Sequence, residues 1–292
     1  MKIVSLAALL TATPLLPALS HASEAQMPQS DFVYKKTESR PLRLEMNYPQ
    51  EWKPEDKRPA VVFFHGGGWT GGSPKQFLFQ ARHFSRRGLV CARAEYRLRG
   101  RDHITPADCV KDALSAMRWV RSHATTLGID PNKIAAAGGS AGGHLAACSF
   151  FTEGLNDEGD DLSVSPRPNA MILYNPALDL TIEDPRMKLL VSEMDTETRK
   201  AVSPLLHIKR TMPPTLLLDG TEDFLYSQIK AFVEKGKALG APVEVFWAEG
   251  QGHAFFNREP WLEKTTQRAD AFLVSIEYLK ESPKSVPSEK SD

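Results

Sequence analysis

Three short segments carry residue types that can do chemistry together: Gly138-Gly139-Ser140-Ala141-Gly142, the run Asp219-Gly220-Thr221-Glu222-Asp223, and Gly250-Gln251-Gly252-His253. A serine hydroxyl becomes a nucleophile at neutral pH when an imidazole takes its proton and a carboxylate orients that imidazole. The first segment fits G-x-S-x-G between a predicted strand and a predicted helix. Small flanking residues there permit a turn sharp enough to lift the hydroxyl above a sheet. The helix that begins at this point aims free N–H groups at nearby negative charge. In such an arrangement the acid precedes the base along the chain, and Asp223 and His253 follow Ser140 in that order. Asp219 is the rival acid and Glu222 a weaker one. Asp223 is preferred because Asp219 sits too close to the strand end and is followed directly by the turn glycine. The spacing of Asp219, Thr221 and Asp223 also suggests a calcium loop, but the sixth-position glycine and the closing bidentate glutamate are missing.

His65-Gly66-Gly67-Gly68-Trp69 follows a buried strand and reaches the same carboxyl edge of the sheet as Ser140. Glycines suit an oxyanion hole, because the backbone can approach a ligand closely and turn its N–H groups toward developing charge. The expected donors are the Ala141 N–H with one or two from Gly67 and Gly68. A phosphate-cradling loop is excluded by spacing, since neither G-x-x-x-x-G-K-[ST] nor G-x-G-x-x-G opens a helix here. His65, His83, His123 and His144 read as surface or helix-packing residues, and no H-E-x-x-H or Cys/His pattern occurs, so neither a metal nor a cofactor is expected. Asp108 and Asp112, four residues apart on one helix face, are expected to pair with an arginine such as Arg97. Asp157, Glu158, Asp160 and Asp161 read as a solvated loop, and Cys91, Cys109 and Cys148 as buried small apolar residues.

The elements that must position these residues follow from pattern. Phe32-Val33-Tyr34 and Leu42 to Met46 alternate like half-exposed strands of an antiparallel edge hairpin. Ala60-Val61-Val62-Phe63-Phe64 is continuously apolar, as a parallel strand covered on both faces should be. Helices over Lys75–Arg87, Pro106–Leu127, Ser140–Phe151, Phe224–Leu239 and Trp261–Leu279 alternate with strands over Leu89–Tyr96, Lys133–Gly138, Ala170–Tyr174, Thr215–Leu218 and Val243–Trp247. This alternation is the signature of an α/β fold with a mostly parallel sheet flanked by helices. Two stretches break it: Glu153 to Pro168, and a short helical excursion, Asp179 to Leu206, that could lie as a cap over one rim. One domain over residues 23–280 is expected, with a disordered tail over 281–292.

The chain has 292 residues, 36 Lys+Arg against 36 Asp+Glu, and 41% hydrophobic residues. That excludes disordered, collagenous and polybasic classes and removes the electrostatic case for nucleic acid or an anionic membrane as partner. Met1 to Ala22 reads as a signal peptide: Lys2, an apolar run Ile3 to Leu19 broken by Thr11, Thr13, Pro14 and Pro17, then Ser20-His21-Ala22. The expectation is an exported periplasmic or extracellular protein without stable membrane insertion.

His65 to Trp69, Glu95-Tyr96-Arg97-Leu98, Gly139-Ser140-Ala141-Gly142-Gly143-His144 and the Asp223 and His253 loops occur together in an order that resembles the α/β-hydrolases of the bacterial esterase/lipase type. The chain is similar to acetyl esterases and hormone-sensitive-lipase-like carboxylesterases from about Phe32 to Tyr278. The resemblance implies Ser140 as nucleophile, His253 as base, Asp223 as orienting acid, and an oxyanion hole from Gly67, Gly68 and Ala141. It also implies a carboxylesterase acting on a small-molecule or polysaccharide ester. Members of the hormone-sensitive-lipase-like group commonly carry a helical cap before the first strand. Here the sheet is expected to begin almost directly after the signal peptide, which leans toward short acyl groups, acetyl above all. Ala254 stands where the resemblance leads one to expect Gly.

Overall fold

The computed structural model describes residues 30–281; the Met1–Ala22 segment and the expected tail from residue 282 onward lie outside the described residues. In chain order the elements are β1 (Asp31–Lys36), β2 (Pro41–Asn47), β3 (Arg58–Phe64), α1 (Leu78–Arg86), β4 (Val90–Ala94), α2 (Arg99–Asp102), α3 (Pro106–Ser122), β5 (Ile129–Gly139) and α4 (Ala141–Phe151). There follow β6 (Ala170–Tyr174), α5 (Pro185–Leu190), α6 (Thr196–Ala201), β7 (Thr215–Gly220), α7 (Tyr226–Ala238), β8 (Val243–Ala248) and α8 (Trp261–Ser275). The eight strands form one sheet in the order β1-β2-β4-β3-β5-β6-β7-β8. β1, β2 and β4 pair antiparallel, and every pair from β4 to β8 is parallel.

The apolar run of β3 shows why two layers of helix are required. Val62 and Phe64 join the core under α3, α4 and α7, whereas Val61 and Phe63 join the core under α1 and α8. Successive side chains of a strand point to opposite faces, so a continuous apolar strand must be covered twice. α8 stops at Ser275, short of the expected Leu279, because Glu277 takes φ 59° and the Tyr278 N–H returns to the Leu273 carbonyl at 2.8 Å. That left-handed cap lets Tyr278 and Leu279 fold back into the second core instead of extending the helix.

Of the two α3 aspartates expected to pair with an arginine such as Arg97, Asp112 does so and Asp108 does not. Asp108 is a capping residue, accepting from Thr105 N and Thr105 Oγ1 at the helix start. Asp112 is fully buried and holds Lys35 Nζ from β1 at 2.7 Å and Arg97 Nη2 at 2.8 Å. Burial by itself would lower the Arg97 pKa; its hydrogen bonds to Asp112 and the Asp112 charge reverse that and hold the guanidinium above its ordinary range. The Glu153–Pro168 stretch is likewise more than a solvated loop. Asp157 reaches Lys35 Nζ at 2.6 Å, and Asp160 pairs with Arg118 Nη1 at 2.7 Å in a nearly buried contact. Glu158 and Asp161 remain exposed. One buried carboxylate thus ties the edge hairpin, α3 and this loop together.

Cys91, Cys109 and Cys148 are buried and unpaired. No helix among the described residues is long and apolar enough to cross a membrane.

Removing the carboxylate of Asp112 leaves two cations beside a buried site without their partner. Asp112→Ala is therefore expected to lower unfolding free energy by about 3–5 kcal/mol, measured by urea denaturation. A loss below about 1 kcal/mol, the range of an exposed pair, would show that water reaches the site.

Candidate active site

Ser140 lies between β5 and α4 at φ 54°, ψ −118°. A non-glycine residue keeps such a conformation only where its surroundings over-determine it. Its N–H donates to the Tyr174 carbonyl at 2.9 Å, and its carbonyl accepts from His144 N at 3.0 Å, which starts α4. The glycines around it are there for close approach. A Cβ on Gly142 would stand 2.0 Å from the Phe64 carbonyl oxygen, and one on Gly138 2.3 Å from the Gly142 oxygen. The β3 end and the start of α4 can therefore touch only if both positions lack a side chain.

Asp223 and His253 arrive from the turns after β7 and β8. Asp223 is buried; its Oδ1 accepts from Leu225 N at 2.8 Å and its Oδ2 accepts from His253 Nδ1 at 2.7 Å. His253 Nε2 is 2.9 Å from Ser140 Oγ. Because a carboxylate can only accept, the Nδ1 proton belongs to His253 and Nε2 is free to accept from the serine. Phe224 packs on the His253 ring at 4.7 Å, and the Arg186 guanidinium from α5 lies 4.6 Å over the Phe224 ring. Ala254, at the position where Gly was expected, takes the left-handed conformation at φ 64°, and its N–H donates to Asn175 Oδ1 at 3.2 Å.

The glycine loop curls over the Ser140 turn. Gly67 at φ 119° and Gly68 at φ 59° occupy backbone that favours glycine. The Gly66 carbonyl is engaged by His65 Nδ1 at 2.8 Å and the Gly67 carbonyl by the N–H groups of Thr70 and Gly71, both at 3.1 Å. The N–H groups of Gly67 and Gly68 meet no acceptor among the described residues, and Ala141 N opens α4, where no intrahelical acceptor exists.

His65 is neither a surface residue nor a helix-packing one. It is buried, stacked on Tyr96 at 4.3 Å, with Tyr96 Oη donating to its carbonyl at 2.7 Å. Burial lowers its pKa to about 4, against a partial rise from the Gly66 hydrogen bond, so the ring is neutral and its Nδ1–H fixes the loop. Gln76 completes the support by accepting from Gly66 N at 2.6 Å and donating to Asn257 Oδ1 at 3.2 Å. Gln76 and Asn175 carry no motif in the sequence, although Asn175 does stand just past a strand end.

Asp219, the rival acid, is fully buried at the end of β7 and does not reach His253. Burial first, then the charge and hydrogen bonding of Asp223, raise its pKa to about 8. Among the described residues no cluster of three or more His, Cys, Asp or Glu could hold a metal ion.

The Asp179–Leu206 excursion carries α5, capped by Asp184, and α6, capped by Asp195. Arg99 of α2 holds it through Glu193 at 2.9 Å and the Leu189 carbonyl at 3.1 Å. Leu190 comes within 3.2 Å of where a Gly68 Cβ would stand, so the excursion borders the glycine loop as a cap over that rim.

The sheet order, the strand-turn-helix bearing Ser140 and the two later loops define the α/β-hydrolase fold. Residues 44–235 match the BD-FAE family model, and the chain belongs to that family. It is 30% identical over 222 residues to Esterase LipC of Mycobacterium tuberculosis, covering 69% of this chain and 54% of that one. It is 29% identical over 225 residues to a probable isoprenylcysteine alpha-carbonyl methylesterase of Arabidopsis thaliana, covering 70% of this chain and 47% of that one. The chain thus spans about half the length of these curated relatives. Among solved structures, esterase 2 of Thermogutta terrifontis phosphonylated by sarin superposes with TM-score 0.81 at 40% identity, over 87% of this chain and 99% of that one. The propionate-bound form of the same esterase gives TM-score 0.81 at 43% identity, over 87% and 96%.

Gly142→Ala forces a methyl into the Phe64 carbonyl. The variant is expected to lose about 3 kcal/mol of stability, read from thermal unfolding, and to lose labelling of Ser140 by a fluorophosphonate even where it remains folded. Normal stability and normal labelling would contradict the packing described.

Proposed function

We propose that the protein is a serine carboxylesterase that hydrolyses short-chain acyl esters. The observation that carries this reading is the unbroken relay Ser140 Oγ, His253 Nε2, His253 Nδ1, Asp223 Oδ2, with contacts of 2.9 and 2.7 Å. Ser140 attacks the ester carbonyl while His253 takes its proton and Asp223 stabilises the imidazolium that forms. The oxyanion is met by Ala141 N–H and by Gly67 and Gly68. Each such donor contributes on the order of 3 kcal/mol to the transition state. His253 then protonates the departing alcohol, and a water activated by the same imidazole releases the acid from the acyl-enzyme.

Several observations support the short acyl group. The structural relative from Thermogutta terrifontis is described in propionate-bound and butyrate-bound forms. The excursion over the rim carries two six-residue helices and the single turn Pro204–His207, and its Met187, Val191 and Met194 are committed to the core. That leaves little apolar surface for a long chain. We infer an acetylated carbohydrate as the physiological substrate, from the resemblance to acetyl esterases and from the export that the Met1–Ala22 segment implies.

Hydrolysis of 4-nitrophenyl acetate, butyrate, octanoate and palmitate tests the reading. The expected order is acetate and butyrate far above octanoate, with acetate also released from acetylated xylan. A preference for palmitate would make the excursion a lipid-binding lid and overturn the short-chain assignment. Ser140→Ala is expected to lose roughly a million-fold in kcat and Asp223→Asn roughly ten-thousand-fold, whereas Asp219→Asn should lose far less. The reverse ranking of the two aspartates would move the orienting role to Asp219.

A further inference from the structure

Two buried carboxyl groups, Asp219 at the end of β7 and Asp223 in the turn that follows, have unequal surroundings. The turn after β7 closes through Asp223 N donating to the Gly220 carbonyl at 3.1 Å, and within this turn the Asp223 carboxyl acts on Asp219 through its charge and hydrogen bonding. Asp223 has donors on both oxygens, Leu225 N on Oδ1 and His253 Nδ1 on Oδ2. Asp219 is fully buried, and neither of its oxygens receives a donor with hydrogen-bond geometry; the Gly220 amide acts on it only weakly. When two adjacent carboxyls compete for one negative charge, the one with donors ionises and the one without keeps its proton. A protonated Asp219 has one O–H to give, and the acceptor beside it is the Asp223 carboxylate.

We propose that Asp219 is a positioning residue, a neutral carboxylic acid that donates its O–H to the Asp223 carboxylate and so fixes the acid that orients His253. The inference rests on the reading of Ser140, His253 and Asp223 as a catalytic relay. It gives Asp223 a third hydrogen bond in a place that water does not reach. On the neighbouring strands Leu218 pairs with Tyr174 of β6 and Asp219 itself pairs with Trp247 of β8. Of these two aromatic residues only Tyr174 titrates, and burial keeps its phenol protonated far above neutral pH. Asp223 is the charged group that acts on Asp219, and its charge adds to burial in raising the Asp219 pKa to about 8. Above that pH the donor is lost and a second negative charge stands against Asp223.

The test is the pH dependence of kcat and KM for 4-nitrophenyl acetate in the wild type, Asp219→Asn and Asp219→Ala, with Ser140→Ala as control. Asn keeps an N–H donor that cannot ionise. It is expected to retain kcat at pH 7 within about threefold and to lose the alkaline limb, whereas Ala is expected to lose about 30-fold in kcat with little change in KM. An Asn variant that keeps the limb near pH 8, or that falls as far as Ala, overturns the proposal. Wild-type protein with no Ser140-dependent turnover overturns the esterase reading instead, and the Asp219 proton is then followed by thermal unfolding from pH 5 to 9. The folded-state pKa of Asp219 lies above the ordinary 3.8, so between about pH 4 and 8 the folded state holds a proton that the unfolded chain has lost. Wild-type stability should therefore fall relative to Asp219→Asn as pH rises to about 8 and run parallel beyond it. Curves parallel throughout would show that Asp219 is ionised in the fold and overturn the proposal.

Discussion

The contact between the last residue of β3 and the first turn of α4 is the constraint on which the site depends. Phe64 ends a strand buried on both faces, and its carbonyl lies where a side chain at Gly142 would have to go. Because that approach is so close, α4 must start immediately, and the residue between strand and helix has no room to relax. Ser140 is held at φ 54° by this arrangement and by its N–H bond to Tyr174 on the neighbouring strand. Strain at one residue is sustained by three packed elements, which is the usual way a fold keeps an unfavourable backbone geometry. The hydroxyl is thereby presented to His253 at a fixed height.

The same end of the sheet shows how burial can be used in opposite ways on similar groups. Asp112, Asp219 and Asp223 are all buried carboxyls. Asp112 is surrounded by Lys35 and Arg97 and acts as an anion that binds α3 to the edge hairpin. Asp223 is balanced by one amide and one imidazole. Asp219 has no such donors and is pushed the other way, toward the neutral acid. Neighbouring donors, rather than depth alone, decide what each carboxyl does. His65 follows the same logic with a base: burial keeps it neutral, and a neutral ring with one N–H is what the Gly66 carbonyl needs.

The cap-like excursion is joined to the body by contacts of a different kind. Met187, Val191 and Met194 enter the main core, while Arg99 grips the Leu189 carbonyl and Glu193 near the surface. The apolar anchors set its position, and the exposed ion pair adds little energy but limits its angle. Arg186 lies on Phe224 and Phe224 lies on His253, so the excursion and the imidazole share one stack.

Much of this was legible in the order of residues. The wound parallel sheet could be read because strand and helix periods are local, and the Ser140 turn because its glycines are needed within four residues of one another. The preference for Asp223 over Asp219 followed from distance to the strand end, which is also local. Side chains whose roles depend on distant partners could not be read this way. Asp112 meets Lys35 across 77 positions, and Gln76 meets Asn257 across 181. Asp157 and Asp160, which by composition belong to a solvated loop, are drawn onto α3 and β1 by Arg118 and Lys35. The sequence by itself determined the fold class and which residue types stand at the strand ends, because both are set by short-range pattern. Only the tertiary structure decided which buried group has a partner and which has none, because a group's ionisation depends on neighbours that the chain brings from elsewhere.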